Sequence, residues 1–366
     1  MKVLVCTVVH NPTDARVFRR EIGAILDAGH DVTAIAPWQS TTPGDDRVTR
    51  VSVPRAVGRN RLQSLRAARA RLRDLGPSHD VVIIHDPELL LAMPWADMRR
   101  SQTAVVWDVH EDLAAAILTK AYIPALIRRP LAAAVRIVEA WAEKRCTLLL
   151  AEKGYQARFK KQHPLVLNLP YVADSMPAGE RLRQAIYVGS ITQHRGLGLM
   201  IKLANQLAEH NISVRLIGET HNSADADAIR ACSNIRWEGA LPNAQAMAEV
   251  EQSMIGLSLL ADIPNYRHSM PTKILEYMAS GATVVSTPLP LAIEVLGNDG
   301  IVLESFDDSC LPQAVAEIVD LINNADRRRQ LTEAGFARVH SEYNWHVAGR
   351  EFVAVLEAAV LATNRG

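Results

Sequence analysis

The sequence predicts an α/β protein made of two doubly wound parallel sheets, and three observations support this fold class. The chain has 366 residues, more than one hydrophobic core usually supports, so two domains are expected. Apolar runs rich in β-branched residues alternate with helical patterns, as they do in βαβ units. This alternation stops in a polar segment near the middle of the chain and then starts again, which indicates a second domain of the same class.

The composition is typical of a globular protein rich in alanine and valine. Apolar residues make up 48% of the chain and aromatic residues 5%. The four cysteines (Cys6, Cys146, Cys232 and Cys310) have no paired spacing, which argues against a disulfide framework and a structural zinc site. No signal-peptide cleavage pattern follows the first apolar run, and no uncharged run approaches the roughly 18 residues of a membrane span. We therefore expect a cytoplasmic protein.

Charge is unevenly distributed, although the formal net charge is zero. Residues 1–183 carry 27 basic and 19 acidic side chains, whereas the remainder carries 13 and 21. The basic excess is concentrated between Arg55 and Arg73, where leucines recur near helical spacing. A basic amphipathic helix of this kind either lies on anionic lipid, at the inner face of the membrane, or is simply solvated. No aromatic residues interleave with these arginines, so nucleic acid is not an expected partner.

The first half is predicted to begin with a βαβ unit. Its apolar run Lys2–Val9 reads as a buried strand, and a helix from Arg16 to about Asp27 follows, with Thr13 or Asp14 as its cap. The other apolar runs of this half are predicted as strands at Asp31–Ala36, Val81–His85, Ala104–Val109 and Cys146–Ala151, with helices at Leu131–Lys144 and Tyr155–Lys161.

Three of these strands end beside a histidine. His10 follows the first strand, His85 ends the third and precedes Asp86, and His110 follows the fourth. The carboxyl ends of parallel strands line the binding crevice of a doubly wound sheet, so these side chains are expected at one edge. A single histidine there would be an ordinary polar residue, but three at strand ends indicate an active-site edge.

The second half repeats the pattern after a segment with the composition of a linker, residues 169–184. A strand at Ala185–Val188 leads into Gly189-Ser190, a polar loop to Arg195 and a helix from about Leu199. A strand, a glycine-containing loop and a helix commonly cradle phosphate, and Arg195 would add a charge with several donors. The remaining strands are predicted at Val214–Ile217, which runs into Gly218, and at Ile235–Trp237, Ile255–Leu260 and Thr283–Ser286.

The segment Tyr266–Gly281 is predicted to be a loop that turns into a helix. Ser269 and Thr272 are residue types that cap helices, and Pro271 suits a first turn. Gly281 stands where a C-terminal capping glycine is expected.

The start of this helix has the chemistry of an anion site. Unpaired N–H groups and the partial positive charge of a helix start attract phosphate, and Lys273 in the first turn adds a full charge. Glu276, one turn later, can accept two hydroxyl hydrogen bonds, as a ribose would supply. The alternative is a surface helix whose Lys273 and Glu276 form a solvated pair worth about 0.2–0.5 kcal/mol.

Together these motifs resemble those of the family-4 retaining glycosyltransferases of the GT-B fold, over nearly the whole chain. The supporting motifs are His-Asn-Pro-Thr-Asp-Ala-Arg-Val-Phe at 10–18, His-Asp-Pro-Glu-Leu-Leu at 85–90, Trp-Asp-Val-His-Glu-Asp at 107–112, Tyr-Val-Gly-Ser at 187–190 with Arg-Gly at 195–196, and Pro-Thr-Lys-Ile-Leu-Glu-Tyr-Met-Ala-Ser-Gly at 271–281. The last of these is the most specific. The resemblance implies two Rossmann-like domains facing a central cleft: an acceptor domain at 1–168, a nucleotide-sugar domain at 185–344, and a final helix at 345–366 that crosses back to the first domain.

The resemblance also implies a role for each candidate residue. The donor, a UDP- or GDP-sugar, would be bound by Gly189, Ser190, Gly218, His268, Ser269, Met270 and Glu276. The catalytic residues would be His110, Arg195 and Lys273, and the acceptor side would contain His10, Asp14, Arg16, His85 and Asp86. Ser190 stands where the family often has an arginine, and His268 where it often has a carboxylate.

The implied activity is transfer of a sugar, with retention of configuration, to a hydroxyl of a glycan, a lipid-linked acceptor or a natural product, as in the synthesis of cell-envelope polysaccharides. Arg195 and Lys273 would stabilise the leaving diphosphate without a metal or a cofactor. Asp225 and Asp227 spell the Asp-x-Asp of metal-dependent transferases, but they lie in an alanine-rich segment where capping or surface exposure is the expected role. Two alternatives stay open: a non-catalytic GT-B scaffold or glycan-binding subunit, and a GT-B epimerase or phosphorylase that needs no separate acceptor.

Overall fold

A computed structural model describes residues 1–12, 14–39, 45–119 and 123–365. Its contacts divide the chain into two compact units, which are Met1–Asn168 with His346–Gly366 (unit 1) and Leu169–Trp345 (unit 2). The capping candidate Thr13 lies outside the described residues.

Unit 1 is built on a parallel sheet of six strands. These are β1 (Lys2–Cys6), β2 (Asp31–Ala36), β3 (Val48–Ser52), β4 (Val81–Ile84), β5 (Ala104–Val109) and β6 (Thr147–Leu150). Their order in the sheet is β3-β2-β1-β4-β5-β6. This is a doubly wound arrangement, whose strand order reverses between β1 and β4 and leaves a crevice at their carboxyl ends.

The helices of unit 1 cover this sheet and enclose its core. They are α1 (Ile22–Asp27), α2 (Arg61–Leu75), α3 (Leu89–Ala92), α4 (Trp95–Arg100), α5 (Leu113–Thr119) and α6 (Ala125–Ala142), with a π-helical turn at Ala15–Glu21 and 3-10 turns at Gly58–Asn60, Gly76–Ser78 and Lys153–Arg158. Ala68 and Leu72 of α2 pack in the core with residues of β1, β4 and β5. The crevice of the sheet is therefore supported by a close-packed apolar layer.

Helix α6 starts at Ala125, earlier than the predicted Leu131. Two other predictions for unit 1 are wrong in detail, and side-chain hydrogen bonds explain both. The first strand ends at Cys6 instead of Val9, because the N–H groups of Val8 and Val9 bond to the Asp86 carboxylate. The helix predicted at Tyr155–Lys161 is a 3-10 turn ending at Arg158. The Gln156 amide bonds to backbone groups of Lys161 and His163, which favours an extended chain after the turn.

Unit 2 repeats the same topology. Its strands are β7 (Leu182–Val188), β8 (Ser213–Ile217), β9 (Ile235–Trp237), β10 (Ser253–Ser258), β11 (Thr283–Ser286) and β12 (Ile301–Val302), in the order β12-β11-β10-β7-β8-β9. The reversal of strand order now falls between β7 and β10. Strand β7 begins three residues earlier than predicted, where the N–H of Leu182 donates to the carbonyl of Gln252 (2.7 Å).

Helices flank this second sheet as well. They are α7 (Leu197–Ala208), α8 (Ser223–Ala231), α9 (Asn243–Glu251), α10 (Pro264–Arg267), α11 (Thr272–Ala279), α12 (Pro290–Leu296), α13 (Leu311–Asn323) and α14 (Ala325–Glu342), with 3-10 turns at Gln193–Arg195 and Asp308–Cys310. The last helix, α15 (Trp345–Asn364), starts at the final residue of unit 2 and continues in unit 1. The predicted fold class, an α/β protein with two doubly wound parallel sheets, is confirmed.

Candidate functional site

In unit 2, two glycines predicted for the donor side meet at the carboxyl end of β7. Gly189 follows β7 with a φ of 142°, and Gly218 follows β8 with a φ of 150°. Both values favour glycine. A Cβ atom on Gly218 would lie 1.8 Å from the carbonyl oxygen of Gly189, so the two backbones touch. This contact fixes the path of the loop that follows β7.

That loop carries Arg195 on a short 3-10 turn. The Thr192 hydroxyl caps the turn by accepting a hydrogen bond from the backbone N–H of Arg195 (3.3 Å). The guanidinium of Arg195 lies against the phenol oxygens of Tyr187 and Tyr266. Burial alone would lower the pKa of Arg195, but these oxygens outweigh burial and raise it, so its charge is secure.

Helix α11 is fastened to the sheet by the buried ring of Tyr277. A Cβ atom on Gly256 of β10 would lie 2.4 Å from the Cδ2 atom of this ring, so the ring packs directly on the strand backbone. The phenol oxygen of Tyr277 accepts a hydrogen bond from the N–H of Val188 at the end of β7 (2.9 Å). The strand and the helix that carry the predicted donor residues are thus joined.

The capping predicted for α11 is confirmed at its carboxyl end and wrong at its amino end. At the carboxyl end, Gly281 has a φ of 70°, and the N–H groups of Gly281 and Ala282 bond back to the last helical turn, as expected of a glycine cap. At the amino end the prediction is wrong: Pro271 is the N-cap and no side chain caps the helix. Thr272 is already the first helical residue, and Ser269 is exposed on the preceding loop.

Lys273 lies one turn before Tyr277 on the same side of α11, and its side chain reaches Gly189. A Cβ atom on Gly189 would lie 2.5 Å from Cε of Lys273 and 2.9 Å from its Nζ. Burial lowers the pKa of Lys273, the Glu276 carboxylate opposes this, and the charge of Arg195 lowers the pKa further. Lys273 and Arg195 are therefore electrostatic neighbours.

Among the described residues, neither of these two cations forms an ion pair with a carboxylate. Within the part of the chain that the structure describes, no Asp or Glu oxygen lies within 4.0 Å of the Lys273 ammonium or the Arg195 guanidinium. Two positive groups beside an open glycine backbone suit an anion that carries more than one charge. The other donor-side candidates lie around them: Glu276 is partly buried, Met270 is buried, and His268 is exposed.

In unit 1, the three predicted histidines meet at the carboxyl edge of the sheet. The Nε2 atoms of His10 and His110 are 2.9 Å apart, and the ring centroids of His85 and His110 are 6.1 Å apart. One oxygen of Asp108 bonds to Nδ1 of His85 (3.2 Å) and to Nδ1 of His110 (3.1 Å). A single buried carboxylate thus orients two of the rings.

The charge of Asp108 is balanced by Arg16. The Arg16 guanidinium donates to both carboxylate oxygens, at 2.9 and 2.6 Å. Burial works against the charge of Asp108, but Arg16 and the two histidines outweigh it and hold its pKa well below the usual value. Burial lowers the pKa of His85, which is therefore neutral at pH 7. In His10, burial is outweighed by the carboxylates around it, chiefly Asp14, and its pKa is raised.

A second acid, Glu21, lies beneath this cluster. The π-helical turn, with its i to i+5 hydrogen bonds, brings Arg16 and Glu21 to one side, and Nε of Arg16 is 2.9 Å from a Glu21 oxygen. Glu21 is 1% exposed, and burial together with the nearby Asp108 raises its pKa well above the usual value. Burial thus favours the neutral form of Glu21, which leaves the Arg16 charge to Asp108.

Two further aspartates hold the backbone around His10. Asp86 accepts hydrogen bonds from the N–H groups of Val8 (2.5 Å) and Val9 (3.2 Å), so it fixes the turn after β1. Asp14 caps the π-helical turn by accepting from the N–H groups of Arg16 and Val17. The acceptor-side candidates are thus all brought together in unit 1.

His85, Asp108 and His110 are spaced closely enough to bind a metal ion, but the charge of Asp108 is already neutralised by Arg16. One ligand atom from each of His85, Asp108 and His110 lies within 4.8 Å of the others. Because the Arg16 guanidinium already occupies both oxygens of Asp108, a metal ion there would face a fixed positive charge.

The Asp-x-Asp sequence lies within α8, and its two carboxylates do not converge. Asp225 is buried and accepts a hydrogen bond from the Gln193 amide (2.7 Å), whereas Asp227 is exposed and pairs with Arg230. Of the two expected roles, Asp227 has surface exposure, whereas the helix is capped by Asn222.

Three residues of these clusters, Asp108, Tyr277 and Glu21, were given no individual role in the sequence analysis. Asp108 and His110 are two residues apart, so the alternation of a strand could have placed both on one side. Tyr277 is four residues from Lys273, which in a helix is again the same side. The sequence did not predict that Glu21 is buried, because a glutamate in an amphipathic helix normally faces solvent.

Each half of the chain matches a glycosyltransferase family model. A family model described as Glycosyltransferase Family 4 matches residues 15–159, and one described as Glycosyl transferase-like matches residues 198–354. Between them they match most of the chain. No curated protein sequence matches it.

Solved structures share the fold at low sequence identity. Sucrose-phosphate synthase (tll1590) from Thermosynechococcus elongatus has a TM-score of 0.72 and 13% identity, over 99% of both chains. Anabaena Alr3699/HepE has a TM-score of 0.69 and 10% identity, over 98% of this chain and 100% of its own. The glycosyltransferase WaaG has a TM-score of 0.67 and 16% identity, over 96% and 98%. With the two family matches, this shared fold shows that the chain belongs to the family-4 glycosyltransferases and has the GT-B fold.

Proposed function

We propose that this glycosyltransferase moves a sugar from a UDP- or GDP-sugar to a hydroxyl of a glycan, lipid-linked or natural-product acceptor, with retention and without a metal. The observation that carries the proposal is the pair Lys273 and Arg195, which stand beside the Gly189 backbone with no carboxylate partner among the described residues. Breaking a sugar–diphosphate bond builds negative charge on the leaving group. Two fixed cations would stabilise that charge electrostatically.

The remaining donor-side residues are assigned around this pair. We assign the backbone at Gly189, Ser190 and Gly218 to the diphosphate, and Glu276 to the ribose hydroxyls. His268, Ser269 and Met270 precede α11 and are assigned to the rest of the donor. A bound diphosphate would favour the charged form of Lys273 and so offset the lowering of its pKa by burial and by Arg195.

The assignment of donor and acceptor class rests on proteins of the same fold. Anabaena Alr3699/HepE was solved in complex with UDP and with UDP-glucose. WaaG is involved in lipopolysaccharide biosynthesis, and AviGT4 in the biosynthesis of avilamycin A. These proteins support a nucleotide-sugar donor and an acceptor that is a cell-envelope glycan or a natural product.

We assign the sugar and acceptor side to the histidine cluster of unit 1. His110 is the proposed catalytic residue there, and His10 with Asp14 lies beside it. Arg16, His85 and Asp86 are buried, so their proposed contribution is to position His10 and His110. No side chain of this cluster is proposed as a covalent nucleophile; the leaving phosphate itself would accept the proton of the acceptor hydroxyl.

Calorimetric titration with UDP and with GDP, each with and without EDTA, tests the donor site. Lys273→Ala and Arg195→Ala are each expected to weaken binding by about tenfold to a hundredfold, as loss of a charge-assisted hydrogen bond does. Lys202→Ala is a matched control, because Lys202 is an exposed lysine of unit 2 that pairs with Asp308. The donor site would be refuted if all three variants bound the nucleotide like the unchanged protein.

The alternatives give different outcomes in an activity assay. A mass-spectrometric donor screen with extracts of cell-envelope lipids and glycans is expected to detect donor consumption that depends on an acceptor. Donor consumption without an acceptor would identify an epimerase or phosphorylase. If neither nucleotide binds and no donor is consumed, the chain is a non-catalytic scaffold or a glycan-binding subunit.

A membrane contact through Arg55–Arg73 stays a prediction. In helix α2 of this segment, Ala68 and Leu72 lie in the core of unit 1, and Leu65 packs against that core. The arginines are left for a lipid surface, together with Val57 and Leu62, each of which is 59% exposed. A contact made by this segment would therefore be mainly electrostatic and sensitive to salt.

A further inference from the structure

The outward face of α6 is apolar. One side of this helix exposes Leu126, Pro130, Ala133, Ala134, Ile137 and Ala140, which we call the α6 stripe. Leu126 is 93% exposed and Ile137 71%. Successive members are mostly three or four residues apart, so they line up along the helix. Ile127 and Leu131, also exposed, widen the stripe on one flank.

Two charged residues of α6, Arg136 and Glu139, are engaged in ion pairs. Glu139 is 3% exposed and pairs with Arg136 and Arg158, and Arg136 also pairs with Asp112. A surface helix normally packs its apolar side on the core and exposes a polar side to water. Helix α6 packs Ala132 and Val135 on the inside of unit 1, and the α6 stripe is a second, exposed apolar face. Large exposed apolar patches are uncommon in proteins without a partner, so this second face indicates that an apolar partner covers the α6 stripe.

At its carboxyl end the stripe runs into a basic cavity. Trp141, four residues after Ile137, lines this cavity of about 380 Å³ together with Trp95, Arg99, Lys144 and Arg145. The two tryptophan rings meet edge to face at 5.2 Å, and the Arg145 guanidinium lies 4.7 Å from the Trp141 ring centroid. In the described part of the chain, none of the three cations pairs with a carboxylate. Tryptophan and basic residues beside an apolar surface are typical of a membrane interface.

We propose that the α6 stripe docks on the surface of an anionic phospholipid bilayer, with the cations of the basic cavity against the lipid phosphates. The exposed charges next to the stripe (Arg129, Lys144 and Arg145) are all positive, whereas the acids Glu139 and Glu143 are buried. Cationic flanks around an apolar helix face match anionic lipid.

The same charges argue against a second copy of the chain as the partner. A two-fold contact would place the same patch on both sides of the interface and bring the cationic flanks together. Among the described residues, no helix is sufficiently long and apolar to cross a bilayer. The contact is therefore interfacial, with α6 lying along the membrane surface. It needs no bound donor, so it is independent of the proposed activity.

Sedimentation with lipid vesicles tests the proposal. The full chain is expected to bind vesicles of phosphatidylcholine and phosphatidylglycerol in equal parts, and to bind phosphatidylcholine vesicles at least about tenfold more weakly. The double variant Leu126→Glu, Ile137→Glu is expected to bind the mixed vesicles at least about tenfold more weakly. Both side chains are exposed, so this variant should fold, which circular dichroism checks. Leu361→Glu, at a leucine 57% exposed on α15, is the matched control and should bind normally.

A second pair of variants separates the cavity from the stripe. Arg99→Gln with Lys144→Gln is expected to remove the preference for phosphatidylglycerol while binding to neutral vesicles persists. The proposal is overturned if the stripe variant sediments like the unchanged protein, or if Arg66→Gln with Arg71→Gln in α2 abolishes vesicle binding instead. A protein that ignores vesicles but is a dimer, and becomes a monomer in the stripe variant by light scattering, would also overturn it. UDP affinity should be unchanged in all of these variants, which keeps this test separate from that of the donor site.

Discussion

The phenol oxygen of Tyr277 and the backbone N–H of Val188 form a 2.9 Å hydrogen bond that joins the middle of α11 to the last residue of β7. Lys273 lies one turn earlier on α11, and Gly189 follows Val188 directly. The bond therefore sets the distance between the ammonium of Lys273 and the backbone of Gly189. A single buried hydroxyl thus positions a proposed catalytic cation.

Replacing this tyrosine tests that positioning role. Tyr277→Phe leaves the N–H of Val188 without its acceptor, and we expect the free energy of unfolding to fall by about 1–3 kcal/mol. We also expect weaker UDP binding, because α11 is no longer tied to β7. Urea unfolding and calorimetry measure the two effects. Tyr155→Phe in unit 1, which loses a hydrogen bond to the His110 carbonyl, should leave UDP binding unchanged.

Adding one methyl group at Gly189 should displace Lys273. Gly189→Ala places Cβ 2.5 Å from Cε of Lys273, in addition to the strain of alanine at a φ of 142°. Gly179→Ala has a similar φ of 133° but nothing within 4 Å, so it is a matched control for strain. Both variants should lose stability, of the order of 1–3 kcal/mol. Only Gly189→Ala should also weaken UDP binding, by about tenfold or more; equal binding by both variants would contradict the contact.

The buried acid Glu21 should make stability depend on pH. Burial and Asp108 raise its pKa in the folded chain above the ordinary value of 4.5. The folded state therefore holds this proton more tightly than the unfolded state, and its contribution is complete below about pH 4.5 and is lost as pH rises through the raised pKa. Glu21→Gln imitates the protonated acid and cannot ionise. Relative to this variant, the unchanged protein should lose stability as pH rises from about 4.5 to the raised pKa, by about 1.4 kcal/mol for each pH unit, and should change no further above that pKa. If the free energy of unfolding depended on pH in the same way for both proteins, the pKa of Glu21 would not be raised in the folded chain.

Asp14 should act in the opposite direction, at acidic pH. Burial opposes its charge, but the hydrogen bonds from His10 and from the N–H of Val17 outweigh burial and lower its pKa from 3.8 to about 2. Its contribution is present above about pH 4 and is lost as pH falls to about 2. Because about a third of the side chain is exposed, solvent screening limits the contribution to about 1–2 kcal/mol.

Asp14→Asn keeps the capping oxygen but not the charge, so its unfolding midpoint should depend less on pH over this range. Asp14→Ala also loses the cap and should cost about 1 kcal/mol more, at every pH. If Asp14→Asn lost stability in acid as much as the unchanged protein does, Asp14 would not be the source of that pH dependence.

The edge strands β3 and β12 were not predicted. The sequence by itself determined the two sheets, their other strands and the glycine cap of α11. Each of these follows from short-range patterns: β-branched runs, helical spacing, and the backbone freedom of Gly281. It also placed histidines at strand ends, which was sufficient to locate the edge where they meet. The limits of elements were less well determined, as at Val8 and Val9, whose N–H groups bond to an aspartate far along the chain.

Only the tertiary structure decided how burial and neighbouring charges shift the pKa of a group, and which face of a helix is covered. The raised pKa of Glu21 and the outward direction of the α6 stripe both depend on residues that are distant in sequence. The physical reason is that burial and electrostatic fields are set by every element packed around a group. A sequence pattern records the period of a helix, but it does not record what lies against each side.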